Sequence, residues 1–240
     1  MNIINSLNNK KIIETNKLKQ KKYRQLYDEF LVEGYHLIEE AYQAGVLKTI
    51  FYSDKNPYND IENYQVNNQI IAKLSTVKNN QGIVGICKIH KLNKLTNKIL
   101  LLDRIQDPGN IGTLIRSAIA FGYHTIILDQ CVDIYNPKVI RATQGAIFRI
   151  NVINEEISAF IQKNKDYYFL ATNLNSNNYL KNFKINSKKV GLILGNEGSG
   201  VRDNIISLAN DDVKIRMGKM ESLNVSIAGS ILMYDLKTEE

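Results

Sequence analysis

A mixed α/β fold with a doubly wound, mainly parallel sheet in its C-terminal part is what this sequence predicts, and three observations carry that expectation. Ile99-Leu100-Leu101-Leu102 is a continuous apolar run, of the kind buried on both faces of a parallel sheet. Leu114, Ile115, Ala118 and Ile119 follow at helical spacing, Gly122 ends that helix, and residues 125–128 supply a second strand. Strand–loop–helix units of this kind recur towards the C-terminus, which is the pattern of helices laid over a sheet rather than of hairpins.

In chain order, residues 1–24 form a basic segment with seven Lys and Arg against Glu14 alone. The whole chain carries +7, so almost all of the excess is concentrated there. Lys10, Lys11, Lys17, Lys19, Lys21, Lys22 and Arg24 either follow a phosphate backbone or belong to a solvated terminal helix.

Residues 25–90 read as a small α/β unit. It has a strand at Phe30-Leu31-Val32, a helix at 35–44 closed by Gly45, a strand at 47–52, and turn residues at 54–59 including Pro57. A closing strand follows at 82–89, and the polar stretch 91–98 suits a linker to a domain spanning 99–240. In that domain further strands are expected at 149–153, 168–171, 190–194 and 212–215. The last helix, 222–236, carries Leu223, Val225, Ile227, Ile231 and Leu232 on a broad apolar face.

Composition narrows the class. A hydrophobic fraction of 44% is ordinary for globular chains, no run of eighteen apolar residues occurs, and residues 1–22 lack the shape of a signal peptide. A cytoplasmic protein without a membrane segment is expected. Cys87 and Cys131 lie far apart, and His36, His90 and His124 are scattered, so no disulfide framework or metal site is expected. The cysteines read as buried thiols and the histidines as structural.

In open α/β sheets ligands bind beyond the carboxyl ends of the strands. Three loops there are unusual: residues 103–112 (DRIQDPGNIG), 195–200 (GNEGSG) and 217–224 (MGKMESLN). Three glycines in six residues let backbone approach a ligand closely. Neither GxGxxG nor the GKS/GKT of a phosphate loop is present. A Rossmann-type nucleotide enzyme, which the 99–128 unit and Asp129 would otherwise suit, therefore lacks its glycine fingerprint.

Taken together, the loops resemble the SPOUT superfamily, specifically the SpoU/TrmH family of RNA ribose 2′-O-methyltransferases. The matching stretches are Asp107-Pro108-Gly109-Asn110-Ile111-Gly112 with Arg116, Leu194-Gly195-Asn196-Glu197-Gly198, and Ser222-Leu223-Asn224-Val225-Ser226, in the family's order over about residues 99–236. Phe30-Leu31-Val32-Glu33-Gly34 and Gln81-Gly82-Ile83-Val84 look like the L30-like substrate-binding domain of many members. One departure is Ile215-Arg216-Met217, where the family usually has Ile-Pro-Met; the loop entry loses a proline constraint.

The resemblance implies a C-terminal SPOUT domain with a parallel sheet and a deep trefoil knot, replacing the unknotted topology that general rules give. It implies S-adenosylmethionine as cofactor, held around Thr172, Leu194, Gly195, Ile215, Met217 and Leu223. The catalytic group carried over is Asn110, Arg116, Glu197, Ser222 and Asn224. RNA is the partner, ribosomal rather than transfer RNA given the two-domain layout, with Lys19, Lys21, Lys22 and Arg24 as RNA-binding candidates, and a homodimer is expected. The family's proposals make the arginine a general base, yet a guanidinium stays protonated and offers donors only. Arg116 is therefore expected to hold a phosphate and stabilise the developing alkoxide, with Glu197 orienting it. A tRNA ribose methyltransferase and a non-catalytic RNA-binding protein of the same fold are the alternatives; the latter would be marked by loss of Asn110, Arg116 or Asn224, and all three are present.

Overall fold

The computed structural model of this 240-residue chain describes residues 2–56, 58–89 and 95–236. Pro57, His90 and residues 91–94 of the expected linker lie outside the described residues. The chain divides into two compact units, residues 1–90 with 133–148, and residues 91–132 with 149–240.

The first unit runs β1 (Asn2–Ile4), α1 (Lys10–Lys17), α2 (Lys21–Tyr27), β2 (Glu29–Glu33), α3 (Tyr35–Gln43), β3 (Leu47–Tyr52), β4 (Glu62–Val66), α4 (Asn68–Leu74) and β5 (Ile83–Lys88). Its sheet has the order β1-β4-β3-β5-β2, parallel through β1, β4 and β3 and antiparallel at β5. The strands at 30–32, 47–52 and 82–89 and the helix at 35–44 are found as expected. Gly34 and Gly45 bracket that helix with φ of 89° and 68°, conformations that cost glycine little. The N-terminal segment is not a solvated helix: Ile12, Thr15 and Leu18 are buried, and Asn9 caps α1 by accepting from Lys11 N.

The second unit runs β6 (Lys98–Asp103), α5 (Pro108–Ala120) and β7 (Thr125–Asp129), after which the chain contributes α6 (Pro137–Thr143) to the first unit. It continues with β8 (Asn151–Asn154), α7 (Ile157–Lys163), β9 (Tyr168–Thr172), β10 (Val190–Gly195), α8 (Asp203–Ile206), β11 (Asp211–Val213) and α9 (Val225–Asp235). All six strands are parallel, in the order β11-β9-β10-β6-β7-β8. Ile99, Leu100, Leu101 and Leu102 are fully buried, as a central parallel strand requires.

The expected last helix starts three residues late. Asn224 is its N-cap, its Oδ1 accepting from Ser226 N at 2.9 Å and Ile227 N at 3.4 Å, so Ser222, Leu223 and Asn224 belong to the preceding loop. Cys87 is buried as expected, whereas Cys131 is half-buried; burial pushes its thiol up to about 12. Among the described residues no helix is long and apolar enough to cross a membrane.

Candidate active site

Strands β6 and β7 end in register on two aspartates, Asp103 beside Asp129, which are 0% and 4% exposed. Two adjacent buried carboxylates need a cation. Arg202, from the loop after β10, bridges both, its Nη2 lying 2.8 Å from Asp103 Oδ1 and also pairing with Asp129 Oδ2, while Arg104 Nε adds a contact to Asp103 Oδ1 at 3.2 Å. Its backbone amide donates to Asp103 Oδ2 at 3.0 Å, and Ile157 N donates to Asp129 Oδ2 at 3.0 Å. Burial opposes the charge on Arg202, but the carboxylates outweigh it and raise its pKa. Immediately after each aspartate the chain turns through a left-handed residue, Arg104 (φ 59°) and Gln130 (φ 53°).

This clamp fixes the path of residues 195–202. A Cβ on Gly195 would stand 2.0 Å from Val201 N and 2.1 Å from Gly200 C, so only glycine fits. Asn196 folds the turn on itself, its Oδ1 accepting from Gly198 N at 3.0 Å and Ser199 N at 3.2 Å. Its Nδ2 reaches Arg104 O at 2.9 Å, tying this loop to the one after β6.

The third loop joins through side-chain amides. Asp107 caps α5 by accepting from Asn110 N at 2.8 Å, with Pro108 in the first turn. Glu197 Oε1 accepts from Asn110 Nδ2 at 3.0 Å and Asp107 N at 3.4 Å, and Asn110 Oδ1 accepts from Asn224 Nδ2 at 2.9 Å. A carboxylate only accepts, so Glu197 dictates which way Asn110 faces, and Asn110 in turn dictates Asn224. Helix α9 is then drawn close to β10 and α5. A Cβ on Gly229 would meet Leu114 and Leu194 side chains at 2.5 Å, and the Ser117 and Ser230 hydroxyls are 2.7 Å apart.

Between these loops lies a cleft of about 320 Å³, a size that holds a small-molecule ligand. Thr172, Leu194, Gly195, Ile215, Met217 and Leu223, the six residues expected around a cofactor, all line it. Glu197 and Ser222 line it too, and Val225 of the third motif is joined by Ala228 and Leu232 of α9, which lie beyond the motifs and add apolar surface. Thr172 Oγ1 donates to Ile193 O at 3.1 Å, which holds that side chain against β10. Arg216 is exposed.

The catalytic candidates separate into two groups. Glu197, Asn110 and Asn224 form one hydrogen-bonded line. Arg116 is not part of it: it is exposed on α5 and makes no hydrogen bond or ion pair among the described residues. The expected Glu197–Arg116 pairing is therefore corrected, because the Glu197 carboxylate already accepts from Asn110 and the loop backbone. Ser222 is exposed at the cleft.

In the first unit the four RNA-binding candidates differ in kind. Arg24 is only 3% exposed, with its guanidinium held by the Asp133 carboxylate and by Leu18 O at 2.8 Å, so it presents no surface charge. Lys19 donates to Lys73 O at 2.6 Å and Ser75 O at 2.9 Å, satisfying carbonyls at the end of α4. Lys21 and Lys22 are exposed.

Sequence reading missed Asp103, Arg202 and Asn196, and noted Asp129 only as a nucleotide-enzyme feature. The signal was present: each of two apolar strands ends in an aspartate.

Residues 97–234 match the profile of the SpoU rRNA Methylase family, and residues 9–85 match an MRM3-like substrate binding domain. The chain is 32% identical to the 23S rRNA (guanosine(2553)-2'-O)-methyltransferase RlmP of Bacillus subtilis, covering 99% of this chain and 100% of that protein. Among solved structures it is similar to the AdoMet-bound rRNA methyltransferase from Sinorhizobium meliloti, with a TM-score of 0.86 and 29% identity over 97% of this chain and 96% of that one. An RNA 2'-O ribose methyltransferase is similar at a TM-score of 0.81 and 27% identity, over 97% of each chain.

Arg202→Met removes the guanidinium that bridges the two buried carboxylates, leaving Asp103 with Arg104 alone and Asp129 without its cation, and breaking such a buried pair costs about 3–5 kcal/mol. Denaturant unfolding at pH 7 should show that loss. A variant as stable as the parent at pH 7 would remove the clamp from its structural role.

Proposed function

The chain belongs to the SpoU rRNA methylase family, and on that premise we propose that it transfers a methyl group from S-adenosylmethionine to a ribose 2′-hydroxyl of large-subunit ribosomal RNA. The observation that carries this reading is the convergence of five motif-derived residues and Thr172 on one cleft beside the Glu197–Asn110–Asn224 line. The match to a 23S rRNA enzyme along the whole chain favours ribosomal RNA over transfer RNA, and the cytoplasm is the compartment proposed with it.

The cleft suits the cofactor because its walls combine apolar side chains with bare backbone at Gly195. Thr172, Leu194, Gly195, Ile215, Met217 and Leu223 would hold S-adenosylmethionine, which supplies a methyl group already activated on a sulfonium. Such walls exclude water where positive charge disappears during transfer. Alignment of the ribose oxygen provides most of the remaining acceleration.

Arg116 is read as the residue that grips an RNA phosphate and stabilises the ribose oxygen as negative charge develops, since its donors are not engaged within the described residues. As a guanidinium it does not accept the hydroxyl proton, which passes to solvent water as the oxygen takes up the methyl group. Asn110, Glu197 and Asn224 act as positioning residues for the loops, and the Ser222 hydroxyl stands ready at the rim.

The deep trefoil knot is part of this reading. It is supported by the return of the chain from β11, at the sheet's edge, to seat α9 against α5 and β10. A homodimer is also proposed. Ile227, Ile231 and Tyr234 stand at i, i+4 and i+7 on α9 and are 53%, 39% and 56% exposed, on the side away from buried Leu232 and Met233. A second copy would cover them. Light scattering at micromolar concentration should report a dimer, and a monomer would remove the proposal.

Purified chain, labelled S-adenosylmethionine and RNA from cells lacking the gene test the reaction directly. Label should enter large-subunit ribosomal RNA as a 2′-O-methyl nucleoside, and Arg116→Lys should lower kcat roughly 10- to 100-fold with S-adenosylhomocysteine affinity unchanged. Label in transfer RNA alone would overturn the substrate, RNA binding without transfer would favour a binding protein, and near-parental turnover by Arg116→Lys would remove bidentate positioning.

A further inference from the structure

The cations of residues 1–24 are divided by the partners they find. Arg24 is buried on Asp133, Lys19 satisfies two carbonyls, Lys11 pairs with Glu62 at 3.0 Å, and Lys10 stands 4.0 Å from Glu14. Lys17, Lys21 and Lys22 form no ion pair among the described residues.

Two of them, Lys17 and Lys22, flank one aromatic feature. Tyr23 and Tyr27, one turn apart on α2, stack with ring centroids 6.1 Å apart and planes inclined by 22°. The ammonium groups of Lys17 and Lys22 stand 5.4 and 5.9 Å from the Tyr23 ring centroid. Lys21 is exposed at the start of the same helix, Tyr27 is 44% exposed, and Leu26 beside it is 64% exposed. A lone exposed leucine means nothing, but an exposed ring set among uncompensated ammonium groups combines the two elements that single-stranded nucleic acid needs: a face for a base and charge for its phosphates. Duplex RNA offers no free base face, so the fit is to an unpaired segment.

We propose that α2 carries a single-strand RNA site, in which Tyr27, backed by Tyr23, stacks on an unpaired base while Lys17, Lys21 and Lys22 take the neighbouring phosphates. This rests on the reading of ribosomal RNA as substrate and adds the residues and the strand state that are recognised. Arg24 and Lys19, the cations already engaged inside the unit, form the scaffold beneath it.

The full-length chain is tested with protein-free ribosomal RNA from cells lacking the gene, binding being read by filter retention and transfer with labelled S-adenosylmethionine. Tyr27→Ala should weaken RNA binding about 5- to 100-fold and raise the RNA KM in step, with the thermal midpoint unchanged and Tyr27→Phe close to the parent. Lys21→Ala combined with Lys22→Ala should make the salt slope of binding shallower by about 0.7 per lost phosphate contact. RNA binding by Tyr27→Ala within twofold of the parent would overturn the proposal. So would an effect of that variant confined to a ribosomal particle, because the surface would then serve a protein. A parent chain that transfers no methyl yet retains RNA through Tyr27 would sink the methyl-transfer reading and leave this site standing.

Discussion

Two buried carboxylates and the guanidinium that bridges them set the conditions for the catalytic unit. Asp103 and Asp129 end neighbouring parallel strands at the edge from which functional loops depart, where paired buried carboxylates call for a cation. Arg202 meets that need only if the chain between β10 and α8 follows one path. That path brings backbone so close to the end of β10 that Gly195 tolerates no side chain. The bare backbone along the cleft is thus a consequence of how a buried charge is neutralised two residues beyond the turn.

From this fixed loop, orientation passes through directional hydrogen bonds. Glu197 can only accept, so the Asn110 amide must turn its nitrogen towards it and its oxygen towards Asn224. Asn224 then presents its own oxygen to the first amides of α9. One carboxylate on the second loop therefore sets both the capping of α5's loop and the start of the last helix, whose buried side packs through Gly229 on Leu114 and Leu194. Arg116 is left outside this line, which suits a group whose partner arrives with the substrate.

Much of this was legible in the sequence, and the failures have physical causes. The Ile99–Leu102 run and the spacing of Leu114, Ile115 and Ala118 are written in apolar periodicity, and five of the six expected cleft residues, all but Thr172, were reachable from short motifs. β4 was not: Glu62-Asn63-Tyr64-Gln65-Val66 has little apolar alternation, although it lies inside the sheet between β1 and β3. β1 has three residues, too few for a periodic signal. Motifs also name residues without naming pairs, so Glu197 was matched with Arg116 when its partner is Asn110. Arg24 shows the same limit, since its carboxylate, Asp133, lies 109 residues away and nothing local distinguishes this cation from exposed Lys21 and Lys22.

The two units divide the proposed work. One builds a cleft of apolar side chains and bare backbone, with an exposed arginine on the helix that follows its first loop; the other gathers cations and aromatic rings on its second helix. Ribose-methylation mapping of ribosomal and transfer RNA from three strains tests the central claim most directly: the parent, one lacking the gene, and one carrying Arg116→Ala. One 2′-O-methyl nucleotide in large-subunit ribosomal RNA should be present in the parent and missing from both others. An identical map in all three strains, or a loss confined to transfer RNA, would contradict that claim.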